Sequence, residues 1–296
     1  MANLKEVRSR ITSVSSTQQI TSAMKMVSAA KLRKAQDAVT QLRPYASKLK
    51  EILENLNSTL DSSDGGAYGE ERPVKKVLLI AISSNRGLCG AFNANVFKQT
   101  NRLIREEYQG ADIQILGIGK RVNEFFRKSG IKMLNDQLNQ NTNDLFDNLK
   151  FDHVAPVAQL VMSQFLNKNF DRVDLVYNQF KNAAVQILTT EQFLPIKPLE
   201  VIEGNKNSAN MDYIYEPNQS DIIAELIPKS LKTQLYKAIL DSYAAEHGAR
   251  MTAMHKATDN AKEMLKELKL TYNKARQAAI TNEILEIVGG AEALNN

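Results

Sequence analysis

Both ends of this 296-residue chain are almost free of residues that interrupt helices, and this constrains the fold more than any other feature. Residues 1–64 contain no glycine and a single proline, Pro44, while residues 229–288 contain only Gly248 and no proline. Each end is therefore predicted to form one long helix, over 3–58 and 229–288. At about 1.5 Å per residue, such a helix is on the order of 85–90 Å long. A helix of that length needs a partner to pack against.

Apolar residues in the first helix follow the three- and four-residue spacing of a coiled-coil seam. The seam comprises Leu4, Val7, Ile11 and Val14, then Leu32, Ala35, Val39 and Leu42. Between these two parts the same register falls on Gln18, Thr21, Lys25 and Ser28, while apolar residues stand out of step at Ile20, Met24 and Val27. We predict that the out-of-step residues form a second contact face, directed away from the first partner helix.

The last helix carries a similar seam, in which many residues are small. It runs through Met251, Met254, Thr258, Ala261, Leu265, Leu268, Tyr272, Ala275 and Ala279. Alanine at such positions lets helix axes approach closely. A buried core helix would explain either seam alone, but two seams at opposite ends of one chain favour an antiparallel coiled coil of the termini.

The middle of the chain has a different composition. A turn-rich linker (61–74) precedes an apolar run, Lys76–Ser84, that reads as a strand buried on both faces. Helices are predicted over 93–108, 120–128 and 155–165, strands over 113–118, 173–180 and 185–190, an irregular loop over 138–152 and a short edge strand over 211–215. Strands that alternate with helices predict a Rossmann-like α/β domain with a mostly parallel sheet. The predicted organisation is a first helix (1–60), the linker, an α/β domain (75–210) and a last helical segment (211–296).

The loop after the first predicted strand lies where a nucleotide-binding fold places its phosphate loop. Its glycines are spaced Gly87-x-x-Gly90, which matches neither G-x-G-x-x-G nor G-x-x-x-x-G-K-[ST]. Glycine at these two positions is interpreted as permitting a tight strand-to-helix turn. No nucleotide or other cofactor is predicted.

Catalytic and metal-binding chemistry is also poorly supported. Cys89 has only three scattered histidines as possible bases, His153, His247 and His255, and a single cysteine forms no internal disulfide. The sequence has no His-x-x-x-His pair, so it gives no indication of a zinc site. The first residues lack a secretory pattern, and the longest apolar run has six residues where a membrane helix needs about 20. We expect a reducing compartment, and a link to membranes only through partners.

The charge is distributed unevenly. Residues 1–50 hold ten basic residues and two acidic ones, a net charge of +8, against +5 for the whole chain. This predicts an acidic partner, either nucleic acid or an acidic protein surface, although a solvated helix face is the simpler alternative. A nucleic-acid-binding arm should interleave aromatic residues, and residues 1–50 offer only Tyr45. A stand-alone α/β enzyme with helical extensions is a third reading, and it lacks a convergent catalytic set.

Three stretches of the chain resemble the gamma subunit of the rotary F-type ATP synthase. They are Ile20–Ala35, the Arg86-Gly87-Leu88-Cys89-Gly90 loop, and a carboxy-terminal run from Glu246 through Met251, Ala257–Ala261 and Tyr272–Ala278 to Ile287–Glu292. The order of helix, α/β domain and helix also agrees with that family. Asn85 and Ala91 depart from the usual Asp and Gly, and the regulatory cysteine pair of chloroplast members is absent because Cys89 stands alone.

The resemblance implies a rotor shaft that is not itself catalytic. Its coiled coil would pass through a ring of alpha and beta subunits, and its α/β domain would sit with the epsilon subunit on the membrane c ring. By the same resemblance, Arg276, Gln277, Met24 and Lys25 would contact the beta subunit, and Tyr213 and Tyr215 would lie near the c ring. The implied location is the cytoplasmic side of a bacterial inner membrane, with no role in nucleic-acid binding.

Overall fold

The computed structural model describes residues 4–58, 66–138, 141–196 and 219–294. They form two compact units. The coil unit combines the residues up to Ala29 with those from Arg250 onward, and the body unit comprises Ala30–Ala249. The helices are α1 (Leu4–Ser58), α2 (Phe92–Arg102), α3 (Lys120–Lys128), α4 (Phe151–Leu166) and α5 (Gln219–Leu294), and the strands are β1 (Lys76–Ile82), β2 (Asp112–Ile118), β3 (Lys132–Met133), β4 (Arg172–Phe180) and β5 (Gln186–Leu194).

The two terminal helices have 55 and 76 residues. The first matches its predicted range, whereas the last begins ten residues earlier and ends six residues later than predicted. It continues through Pro228 and through Gly289 and Gly290. Ile227 and Leu231 flank the proline and lie in the body core, so packing there offsets the helix-breaking cost of about 3 kcal/mol. A prediction from helix propensity alone therefore made the last helix too short at both ends.

In the coil unit α1 and α5 are antiparallel, because Thr21 meets Thr258 and Lys25 meets His255. The numbers of facing residues add up to about 280, so Leu4 lies opposite position 275 or so. The predicted seam is buried at Met254, Thr258, Ala261 and Leu265. Ala279 was predicted to belong to the seam, and the structure contradicts this because Ala279 is exposed.

Two of the three out-of-step residues of α1 are directed away from α5, as predicted, whereas Met24 is half-buried. Ile20 and Val27 are 60% and 57% exposed, although both are large and apolar. The register continues instead through polar residues, since Thr21 and Ser28 are buried. Their hydroxyls bond to backbone carbonyls one turn earlier, so burial leaves them satisfied.

The body unit contains a five-stranded sheet in the order β3-β2-β1-β4-β5. The pairs β1–β2, β1–β4 and β2–β3 are parallel, and only β4–β5 is antiparallel, which confirms the mostly parallel sheet. β1 is central, and its residues Val77–Ile82 are completely buried. Leu78, Ile80 and Ile82 face a core shared with α4 and α5, whereas Val77, Leu79 and Ala81 face α2 and α3.

Several boundaries in the middle differ from the predictions. The helix predicted over 93–108 ends at Arg102 and continues as a single wide π-turn, Leu103–Glu107. The loop predicted over 138–152 contains a short 3₁₀ turn, and α4 already begins at Phe151. β3 was not anticipated, because two residues are too few to produce an alternation. The edge strand predicted over 211–215 lies outside the described residues.

Candidate functional site

Met24 and Lys25 lie on α1 within the coil unit, and both side chains are half-buried. The Lys25 ammonium is 3.3 Å from Nδ1 of His255 on α5. The same His255 nitrogen is 3.3 Å from a carboxylate oxygen of Asp259, one turn further along α5. Lys25 is therefore held by a polar contact across the helix pair, next to the exposed apolar face of α1.

Arg276 and Gln277 are exposed on α5. They lie just past the position that faces Leu4, where the described part of α1 begins. Because they follow Ala275 by about 100° and 200° around the helix, they point away from the seam. Their donors and acceptors are therefore directed outward, as an interface would require.

Beyond Gln277 the described part of α5 carries a row of large apolar residues that are exposed among the described residues. Every position from Arg276 to Ala291 is exposed. The spacing of four, three and one residues puts most of the apolar ones on one helix face. We call this row the apolar tip: Ile280, Ile284, Leu285, Ile287 and Val288, which are 49–66% exposed.

Hydrogen bonds among its own side chains and backbone hold the loop between β1 and α2 in one conformation. The Asn93 side-chain amide donates to the Ser84 hydroxyl at 2.8 Å and to the Cys89 sulfur at 3.3 Å, and its oxygen accepts from the Ser84 backbone N–H at 3.0 Å. Gly90 has φ 61°, and Leu88 adopts the same left-handed region at φ 62° while 65% exposed. Gly87 has no positive φ. The loop therefore presents one apolar side chain from a fixed backbone.

At one helix N-terminus by the carboxyl ends of the strands, that of α3, the backbone N–H groups are already used by the protein. At the start of α3, the backbone N–H groups of Lys120, Arg121 and Val122 donate to the Asn85 side chain, the Ser84 carbonyl and the Ser83 hydroxyl, respectively. A helix N-terminus binds phosphate through such N–H groups only when they are free. This end of the sheet therefore has no vacant anion cradle on α3.

The crevice at the carboxyl ends of β1 and β4 is also filled. The chain continues from β1 to β2 on one side and places β4 on the other, which makes this the switch point where open α/β sheets bind ligands. Cys89 and Phe92 pack there against Ala245 of α5. The backbone of Ala183 lies so close to Gly248 that a Cβ there would be 3.1 Å from the Ala183 oxygen. The helix α5 thus takes the position a ligand would need.

A buried polar cluster in the body unit was not anticipated from the sequence. Asp174 on β4 is 1% exposed, accepts a hydrogen bond from the Tyr108 hydroxyl and pairs with Arg172 at 3.2 Å. Desolvation raises the pKa of Asp174, and the bonds from Tyr108 and Arg172 oppose that shift. The Arg172 guanidinium also lies over the Tyr108 ring, with its central carbon 5.6 Å from the ring centroid. An acidic residue, Asp174, within the otherwise apolar and buried run Val173–Tyr177 of β4 is a local signal of this cluster.

Tyr213 and Tyr215 lie outside the described residues. Within the ranges that are described, no three His, Cys, Asp or Glu side chains form a group suited to a metal ion. The described helices also include none with the length and hydropathy needed to cross a bilayer.

Comparison with known proteins identifies relatives along the whole chain. The sequence model of a family described as ATP synthase matches residues 3–294. The ATP synthase gamma chain of Flavobacterium johnsoniae is 60% identical over 295 residues, and this alignment covers 100% of both chains. That of Cytophaga hutchinsonii is 54% identical over 300 aligned positions, again covering 100% of both.

Solved structures share the fold at lower identity. A chain from the cryo-EM structure of the Euglena gracilis mitochondrial ATP synthase (OSCP/F1/c-ring) has a TM-score of 0.65 and 21% identity, covering 98% of this chain and 94% of that one. A chain from the central stalk and c ring of the Tetrahymena thermophila enzyme has a TM-score of 0.58 and 22% identity, covering 80% and 99%. The family match and the full-length relatives together show that this chain belongs to the ATP synthase gamma chain family.

Proposed function

We propose that the chain is the central rotor shaft of an F-type ATP synthase. In this role it couples ion flow through a membrane c ring to conformational cycling of a catalytic ring of alpha and beta subunits, for ATP synthesis or hydrolysis. The apolar tip of α5 is the observation that carries the proposal. Contiguous exposed apolar surface of this kind marks a protein interface, and a helix tip exposed on all sides requires a partner that surrounds it.

The contacts with the ring are assigned to two places in the coil unit. Arg276 and Gln277 are proposed to contact the beta subunit at the base of the apolar tip, because both are exposed and directed away from the seam. The Arg guanidinium offers five donors in a rigid fork that suits carboxylates and carbonyls. Met24 and Lys25 are proposed to contact the beta subunit beside the exposed face formed by Ile20 and Val27. Lys25 there would favour an acidic beta segment.

The α/β body is proposed to be the foot of the rotor, in contact with the epsilon subunit and the c ring. Tyr213 and Tyr215 are proposed for the c-ring contact on the family resemblance alone. In this arrangement the chain is attached to the cytoplasmic side of a bacterial inner membrane through its partners only. Gly87 and Gly90 are proposed to serve the turn between β1 and α2 and not a ligand, and the φ of 61° at Gly90 supports that role for one of them.

We also propose that the chain itself is not catalytic and binds neither nucleotide nor nucleic acid. Two positive features support this. The helix α5 occupies the switch-point crevice through Ala245, and the first N–H groups of α3 are engaged by side chains of the β1–α2 segment. Nucleotide sites would then belong to the partner subunits.

Co-purification tests the proposal. The chain should be tagged in its native cells, and the eluate should contain alpha, beta, epsilon and c chains in a fixed ratio. Ile284→Asp together with Ile287→Asp should lose alpha and beta, since a charged tip disfavours an apolar sleeve. The control Glu283→Gln with Glu286→Gln changes charge beside the tip and should keep both. Recovery of nucleic acid in place of these chains would reject the proposal.

A further inference from the structure

The contact between Lys25 and His255 has an unusual geometry. Nδ1 of His255 is 3.3 Å from the Lys25 ammonium on α1 and also 3.3 Å from an Asp259 carboxylate oxygen on α5. Both distances are within hydrogen-bonding or ion-pairing range, and both involve the same ring nitrogen. His255 and Asp259 are 56% and 53% exposed, so solvent protons reach the site.

One ring nitrogen cannot serve both neighbours at the same time. The ammonium has only donors, so it requires an Nδ1 that is unprotonated, whereas the carboxylate has only acceptors and requires an Nδ1 that carries hydrogen. Protonation of the imidazole also places two cations next to each other and so opposes the Lys25 contact. The two partners of Nδ1 are therefore alternatives, and the protonation of His255 selects between them.

Few charged groups surround the His255 imidazole and can influence its protonation. Lys25 is the only charged residue of α1 between Arg10 and Lys31, so α1 contributes no competing anion. On α5, Asp259 is also 3.8 Å from Lys262, and Lys256 follows His255 about 100° around the helix. Histidine is the side chain whose charge ordinarily changes between about pH 5 and pH 8.

We propose that His255 is a protonation-controlled switch for Lys25. The neutral imidazole accepts a hydrogen bond from the Lys25 ammonium and holds it against α5. The imidazolium donates to Asp259 instead and frees Lys25 to reach an anionic group on a partner protein. The consequence for a beta-subunit contact rests on the proposed function, whereas the switch itself is a property of this chain.

The test uses the full-length chain labelled with ¹⁵N in its histidine rings, observed by NMR. His255→Gln identifies the signal, and His153, an exposed histidine on another helix, is the internal control. In the parent near pH 8 we expect Nδ1 to be the unprotonated nitrogen of neutral His255. Lys25→Met should shift the hydrogen onto Nδ1, because Asp259 is then the remaining partner, and should leave His153 unchanged.

Asp259→Asn provides the opposite arm, since it removes the anion and should keep Nδ1 unprotonated. Finding the hydrogen on Nδ1 in the parent near pH 8 would overturn the proposal, as would a tautomer unchanged by Lys25→Met. A chain that behaves as expected in these spectra but recovers no alpha and beta chains would reject the rotor assignment and leave the contact between neutral His255 and Lys25 established. The two conclusions therefore fail separately.

Discussion

The hydroxyl of Thr258 on α5 donates a 2.8 Å hydrogen bond to the hydroxyl of Thr21 on α1, in the middle of the coil unit. Thr21 in turn donates to the Gln18 carbonyl at 3.0 Å, and both threonines are buried. The Thr258 hydroxyl also lies 2.8 Å from the Met254 carbonyl. Each hydroxyl therefore has an acceptor in its own helix, and the contact between the two marks the register in which the helices pair.

Replacing one threonine of this pair should cost more than replacing both. Thr21→Val removes the acceptor across the seam and leaves the buried Thr258 hydroxyl with only the Met254 carbonyl of its own helix. We expect this to lower the free energy of unfolding by about 0.5–1 kcal/mol. Thr21→Val with Thr258→Val should recover part of that loss, since neither hydroxyl is then buried. Denaturant unfolding of the four chains in a double-mutant cycle measures the coupling. Additive effects would show that the bond contributes nothing to stability.

Small residues in the seam should resist enlargement only where α1 covers them. Ala261 is buried at 7% exposure, and Ala261→Leu should overpack the helix pair at a cost of about 1–3 kcal/mol. Ala279→Leu is the matched control, because its site is exposed and should change stability by about 0.5 kcal/mol or less. Equal losses for the two variants would contradict the observed register.

Glycines within α5 should respond to substitution in opposite directions. At Gly248 a Cβ would be 3.1 Å from the Ala183 oxygen, so Gly248→Leu must displace the β4–β5 turn and should destabilise the body unit by about 1–3 kcal/mol. Gly289 has open space around it, and Gly289→Ala should increase helicity, with a gain of about 0.5–1 kcal/mol. Thermal melting followed by circular dichroism distinguishes the two. A stabilised Gly248→Leu would rule out the close approach.

The buried carboxyl of Asp174 predicts a specific pH dependence. Its pKa in the folded chain is raised above the ordinary value of 3.8, chiefly by desolvation. The folded state therefore binds this proton more tightly than the unfolded state, so the contribution of Asp174 to stability is largest at low pH and is lost as pH rises through the folded pKa. The stability of the parent relative to Asp174→Asn should improve as pH falls from 7 toward 4 or so. A difference independent of pH would mean that Asp174 titrates alike in both states.

Arg276 and Gln277 should matter for the assembly and not for the fold. Both are exposed, so Arg276→Ala with Gln277→Ala should change unfolding of the free chain by about 0.5 kcal/mol or less. Truncation of a charged contact buried at an interface costs about 2–5 kcal/mol, so coupled ATP synthesis or stability of the assembled complex should fall. Lys266→Ala with Glu267→Ala is a control pair of exposed neighbours on the same helix. A less stable free chain with normal turnover would reverse the assignment.

The sequence determined those features that depend on local properties. The scarcity of glycine and proline predicted two long terminal helices, the spacing of apolar residues predicted their pairing, and the run Val77–Ile82 predicted a central buried strand. Resemblance in three short stretches was sufficient to indicate the family. These features follow from helix propensity and periodicity, which act over a few neighbouring residues.

Tertiary structure decided what depends on residues far apart in the chain. Packing against the body core carries α5 through Pro228, which propensity alone would have excluded. The pairing of Lys25 with His255 joins positions 230 residues apart, and Tyr108 meets Asp174 across 66 residues. No local pattern encodes such contacts, because they arise only when helix register and sheet order bring those side chains together.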